Sequence, residues 1–283
     1  MEEGDARAAP DTDMGRKIRR FLMAALLLIF LGSTAVILYV KEGYRASEAL
    51  YSQASEQYTA SRTAEPKEAE ERAESLPVSA PIEVDFDALR MENADIVGWI
   101  YCEDTPVNYP VLQGADNDYY LKNSYDGSRS ASGAIFIDAN NQAGFADCNT
   151  IVYGHNMKNG SMFASLFDWA DQEFYEKHPI IWLLTPEQDY QIVLMSGCMT
   201  SAHSQFYTIC QEPCEEFEQY LKDIQAASDF QPVFQPEGTG NYVLLSTCAY
   251  VFDNARYVLF GKLVPAKTAG GRQIMENEEQ IPE

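Results

Sequence analysis

The chain has 283 residues, enough for one sizeable core with appendages, and its 43 Asp/Glu against 20 Lys/Arg leave a net charge of -23 at pH 7. Such a surface excludes phosphate-backbone binding, which needs clustered cations, so no nucleic-acid partner is expected. Six cysteines (Cys102, Cys148, Cys198, Cys210, Cys214 and Cys248) are too few for a disulfide-built scaffold of this length, and the CxxxC pair Cys210/Cys214 lacks the second Cys/His pair of a zinc site, so neither a metal nor a cofactor is expected.

In chain order, residues 1–20 read as a short cytoplasmic N-terminus ending in the basic cluster Arg16, Lys17, Arg19 and Arg20. Residues 21–40, FLMAALLLIFLGSTAVILYV, carry no charge. As a helix they span about 30 Å, the thickness of a bilayer's hydrocarbon core. The basic flank places the N-terminus inside and the bulk of the chain outside by the positive-inside rule. A cleaved signal peptide is the competing reading, with Ser33-Thr34-Ala35 as small residues for cleavage. The run exceeds the ~7–15 residues of a signal-peptide core and continues as VILYV, which favours an anchor.

Residues 41–82 read as a partly helical stalk, with helix-compatible stretches EALYSQASEQY and PKEAEERAESL before Pro77 and Pro81. Residues 83–266 are dense in aromatic and β-branched side chains and read as the globular domain; residues 267–283 read as a disordered acidic tail. Within the domain, strands are expected at 97–102, 108–113, 133–138, 149–154, 180–185, 190–198, 242–248 and 256–264. Eight strands imply a barrel or a sandwich, a mainly β fold with helices. The helices are expected at 85–93, at 161–170 capped by Ser161, and at 214–227.

The strands ending at Cys248 and starting at Arg256 are joined by AYVFDNA. Antiparallel pairing across that loop brings the thiol beside the guanidinium. A guanidinium there has a chemical use, because it stabilises the oxyanion formed when a thiolate attacks a carbonyl. Taken alone, a strand cysteine is more often an inert buried thiol. Of three histidines, His155 follows the strand NTIVYG, where Gly154 is expected to allow an unusual turn, and a loop histidine at a strand end is placed to exchange protons near neutral pH. His178 precedes a proline and reads as structural, and His203 sits in a polar loop.

Tyr153-Gly154-His155-Asn156, Leu245-Ser246-Thr247-Cys248 and Arg256-Tyr257-Val258, in that order, resemble the His, TLxTC and Arg motifs of sortases. Leu244 stands where the first Thr of a strict TLxTC would be. DIVGWI, DNDYYL, GAIFID, NTIVYGHNM, MFASLFDW and FYEKHPII extend the resemblance to class B, over about residues 86–263. The resemblance implies an eight-stranded sortase-like β-barrel behind an N-terminal transmembrane helix, in a Gram-positive-type envelope.

It also implies a cysteine transpeptidase. Cys248 would be the nucleophile, His155 the proton donor and acceptor, and Arg256 the stabiliser of oxyanion and substrate, with Asn117, Thr200 and Ser246 as further substrate-groove candidates. The implied partners are secreted proteins with a C-terminal NPxTx-like sorting motif and an amine of peptidoglycan, or a pilin amine in the alternative of a pilin-polymerising enzyme. A plain cysteine protease and a catalytically silent membrane-tethered binding module are the remaining alternatives. Asp116-Asn117-Asp118 lacks the spaced carboxylates of a calcium loop and reads as a turn.

Overall fold

The computed structural model describes residues 13–62, 79–234 and 240–266. The acidic tail and the stretch PKEAEERAESL lie outside the described residues. A single helix, α1, runs from Asp13 to Tyr58 and contains one window, of mean hydropathy 2.6, long and apolar enough to cross a membrane. It is a candidate anchor. The chain divides into two compact units between Ala46 and Ser47.

In the second unit the end of α1 buries Ser47, Tyr51, Ala54 and Tyr58. Their spacing puts them on one helix face. The Tyr51 ring meets Tyr109 edge-on at 5.3 Å and Tyr125 at 5.7 Å, and its hydroxyl donates to the Gly133 carbonyl at 2.6 Å. Directly after the helix, β1 (Thr59–Ser61) pairs antiparallel with β2 (Ile82–Val84).

Eight strands then close into a barrel: β3 (Ile96–Tyr101), β4 (Asn108–Leu112), β5 (Ile135–Ile137), β6 (Asn149–Tyr153), β7 (Ile180–Leu184), β8 (Asp189–Ser201), β9 (Tyr242–Cys248) and β10 (Ala255–Pro265). Round the barrel the order is β10-β8-β7-β3-β4-β5-β6-β9. These are the eight strands read from the sequence. Closure removes unpaired edges, and apolar runs such as Ile180–Leu184 are buried throughout.

The helix α2 (Phe86–Glu92) starts where the Asp85 carboxylate accepts from the Ala88 amide, and α3 (Gln172–Lys177) where Asp171 accepts from Phe174. The helix α4 (Glu215–Ala226) lies in the long connection between β8 and β9 and packs Phe217, Tyr220 and Ile224 inward. Residues 161–170 do not form the expected α-helix. Met162 takes a left-handed backbone, φ 58°, and Ser161 spends its hydroxyl on Asn159 rather than on a cap. The segment Ala164–Ala170 is instead a 3-10 helix. The fully buried residues Phe163, Leu166 and Trp169 recur every third position, which matches three residues per turn better than 3.6.

Candidate active site

Two pairings of β9 build the site. On one side β9 runs antiparallel to β10, with Cys248 directly opposite Arg256. On the other it runs parallel to β6, with Ser246 opposite Tyr153, and the Gly154 amide extends the ladder by donating to the Ser246 carbonyl at 3.0 Å. Parallel strands end on the same side. The chain leaving β6 therefore delivers His155 to the rim where β9 delivers Cys248. Cys248, His155, Arg256, Ser246, Asn117 and Tyr153 all line one cavity of about 220 Å³.

His155 is half-buried, and its Nε2 lies 2.9 Å from the Leu121 carbonyl oxygen. A carbonyl only accepts, so Nε2 carries a proton in this contact in either charge state of the ring. The imidazole also packs on Gly133, whose φ is +56°; a Cβ there would meet the Tyr120 carbonyl oxygen at 2.5 Å and His155 Cδ2 at 3.0 Å. Cys248 is half-buried, and its backbone carbonyl accepts from Asn156 Nδ2 at 2.8 Å. One residue beyond the imidazole, Asn156 thus ties the β6 loop to the strand end that carries Cys248. Arg256 is half-buried and donates from Nη1 to the Ala255 carbonyl at 3.0 Å.

Gly154 has no left-handed φ, contrary to the expectation of an unusual turn. Space requires it instead. A Cβ would sit 2.5 Å from Ile135 Cδ1 and 2.6 Å from two ring carbons of Phe163.

The remaining sequence candidates separate. Ser246 is buried and shares a 2.6 Å hydrogen bond between its hydroxyl and that of Tyr207. Asn117 lines the cavity while its Oδ1 accepts from the Ala139 amide at 2.8 Å. Thr200 stands on β8 opposite Arg256 and does not line the cavity. The sequence reading missed Tyr153 and Tyr207, whose rings stack at 6.4 Å. Burial pushes the Tyr207 hydroxyl up to about 12, against the lowering effect of Ser246 and of the Arg256 charge. Tyr153 donates to Asp138 at 2.8 Å, and burial is the largest cause of its raised pKa. Tyr153 stood in plain view two residues before His155; Tyr207, in a 3-10 turn of the β8–β9 connection, carried no signal. Among the described residues no group of three or more His, Cys, Asp or Glu side chains is arranged to hold a metal ion.

A barrel that gathers a thiol, an imidazole and a guanidinium around one cavity defines a cysteine acyl-transfer enzyme. The family model "Sortase domain" matches residues 100–264. Sortase B of Listeria monocytogenes is 33% identical over 252 residues, covering 88% of this chain and 99% of that protein. A Staphylococcus aureus sortase B–substrate complex superposes with a TM-score of 0.60 at 33% identity, over 64% of this chain and 85% of that one. A Bacillus anthracis sortase B in complex with AAEK1 gives a TM-score of 0.63 at 31% identity, over 79% and 99%. The chain belongs to the sortase family, with sortase B proteins as its relatives. It is a cysteine transpeptidase, of a family that acts at the cell envelope.

Proposed function

We propose that the chain cleaves an NPxTx-like sorting motif of secreted proteins through a thioacyl-enzyme on Cys248 and passes the acyl group to an amine of peptidoglycan. The observation that carries this is the convergence of Cys248, Arg256 and His155 on one cavity through the β10–β9–β6 pairing. The Cys248 sulfur attacks the Thr carbonyl carbon; the C–N bond breaks, and His155 protonates the departing amine. The acceptor amine then attacks the thioester, gives up its proton to His155, and expels the thiolate. Arg256 stabilises the oxyanion of both tetrahedral intermediates. Asn117 and Ser246 are proposed to contact the sorting motif from the cavity wall, and Thr200 from the strand beside Arg256. A substrate-bound sortase B among the relatives supports a peptide-binding role for this region.

The apolar part of α1 is proposed to anchor the protein with its N-terminus in the cytoplasm and the barrel outside. Arg16, Lys17, Arg19 and Arg20 before the apolar run support that orientation.

The test compares two thiols. Cys248→Ala abolishes thioacyl formation with an NPxTx peptide, detected by intact-protein mass spectrometry, and abolishes transfer to an amine acceptor. Cys198→Ala retains both, because Cys198 is buried and burial pushes its thiol up to about 12. Transpeptidation by the Cys248→Ala protein overturns the assignment.

A further inference from the structure

A second group of thiols lies outside the site described above. Cys210 and Cys214 flank the turn that leads into α4, and their sulfurs are 3.9 Å apart. Cys148, buried immediately before β6, lies against Cys210. Cys214 occupies the N-cap of α4 and makes no side-chain cap hydrogen bond. Ser, Thr, Asp or Asn would cap that helix better, so capping does not explain a cysteine there.

We propose that Cys210 and Cys214 form a thiol–disulfide site, oxidised by disulfide exchange with a low-molecular-weight disulfide or a disulfide-bearing oxidoreductase. Both backbones are already held. The Cys210 carbonyl accepts from the Asn149 amide at 3.2 Å, next to a Thr208 carbonyl taken by Asn149 Nδ2 at 3.0 Å. The Cys214 carbonyl accepts from Phe217 and Glu218 at 3.1 and 3.2 Å. Closing the S–S bond requires the sulfurs to approach by ~1.9 Å, from 3.9 Å to about 2.05 Å.

The order of steps follows from exposure. Cys214 is exposed and Cys210 only half-exposed. Burial, then the neighbouring thiols, push Cys210 up to about 12. Cys214 thiolate therefore opens the exchange by attacking one sulfur of the incoming disulfide and expelling one thiolate. Cys210, losing its proton to solvent, attacks the Cys214 sulfur of the mixed disulfide and expels the second. Two protein thiols are oxidised and one external disulfide is reduced to two thiols.

The site has a structural consequence. The two cysteines border a groove of about 380 Å³ lined by Ile209, Phe217 and Tyr220, and Tyr207, which bonds Ser246 in the active-site cavity, lies three residues before Cys210. Oxidation closes the stretch Gln211–Pro213 into a ring that is joined to the Tyr207 turn at its Cys210 end.

The test uses the full chain carrying Cys248→Ala, so that the nucleophile takes no part, equilibrated in a glutathione redox buffer, acid-quenched and blocked with a maleimide. Oxidation is expected to remove two maleimide-reactive thiols and about 2 Da, with the link located at Cys210–Cys214 by tandem mass spectrometry. Adding Cys148→Ser leaves the link in place; adding Cys214→Ser abolishes it. Full maleimide labelling of both cysteines after equilibration overturns the proposal. So does a link running to Cys148, or glutathione persisting on Cys214 without ring closure.

Discussion

Gly154→Ala tests the argument that steric room beside the imidazole, rather than backbone freedom, is what this position supplies. Alanine has no conformational penalty here, since φ is not left-handed. Its methyl, however, lands 2.5 Å from Ile135 Cδ1 and 2.6 Å from the Phe163 ring. Both neighbours are 0% exposed, so neither swings out to solvent. Overpacking of this kind costs about 1–3 kcal/mol. If the strand end yields instead, the 3.0 Å bond from the Gly154 amide to the Ser246 carbonyl is lost, for a further ~0.5–1.5 kcal/mol. Movement at residue 154 carries His155 with it, and a displacement of about 1 Å at a reacting group lowers rate by roughly 100-fold. Urea unfolding measures the first effect. The value of kcat/KM with an NPxTx peptide and an amine acceptor, taken well below the unfolding midpoint, measures the second. An unfolding midpoint unchanged from the parent, with kcat/KM within experimental error, refutes the reasoning.

Arg256→Lys keeps a positive charge and loses the planar fork, so kcat/KM is expected to fall by about 10²–10³-fold with the folded state intact by circular dichroism. Asn156→Ala and Asn156→Asp both remove the Nδ2 donor to the Cys248 carbonyl. Both are expected to lower kcat more than they raise KM, whereas asparagine's size alone, kept in Asp, restores nothing. Asp138→Asn addresses pH. Burial pushes the Asp138 carboxyl up, but the Asn140 amide and the Tyr153 hydroxyl more than offset it, and the net pKa is lowered. A folded pKa below the unfolded value of ~3.9 contributes stability above that pH, lost as pH falls through the folded pKa. The Asn variant is therefore less stable than the parent at pH 7, and the gap in urea midpoints narrows below pH ~4.

The strands were legible because a closed barrel of this size buries most of each one, leaving short apolar runs bounded by Gly, Asn, Asp and Pro. Hairpin connectivity alone put Cys248 opposite Arg256, since β9 and β10 are neighbours in sequence. His155 was different. Its approach to Cys248 depends on parallel pairing of β6 with β9, strands separated by β7, β8 and α4, and no local pattern encodes that. Only the ordered motif resemblance brought the three together. Tyr207 was beyond reach for the same reason, and residues 161–170 were misread because a repeat of three and one of 3.6 differ little over so few turns. Gly154 was singled out for the wrong physical reason: a glycine's missing Cβ reads the same in sequence whether the backbone or the neighbours demand it.

Gly133 is demanded by both. Its φ of +56° disfavours any side chain, and a Cβ would also collide with the Tyr120 carbonyl and crowd His155. The same residue's carbonyl accepts the buried Tyr51 hydroxyl at 2.6 Å. The end of α1 and the imidazole thus both meet the same residue. A hydrogen bond in such a site is consequential because an unmet buried carbonyl costs about 1–3 kcal/mol. The aromatic contacts of Tyr51 with Tyr109 and Tyr125 reinforce it, and the Tyr109 hydroxyl in turn accepts from the Met162 amide, whose neighbour Phe163 donates its own amide to the His155 carbonyl at 3.0 Å. Two separate paths therefore join Tyr51 to His155, through Gly133 and through Tyr109. The helical segment Ser47–Tyr58 acts on this account as part of the scaffold that orients the imidazole.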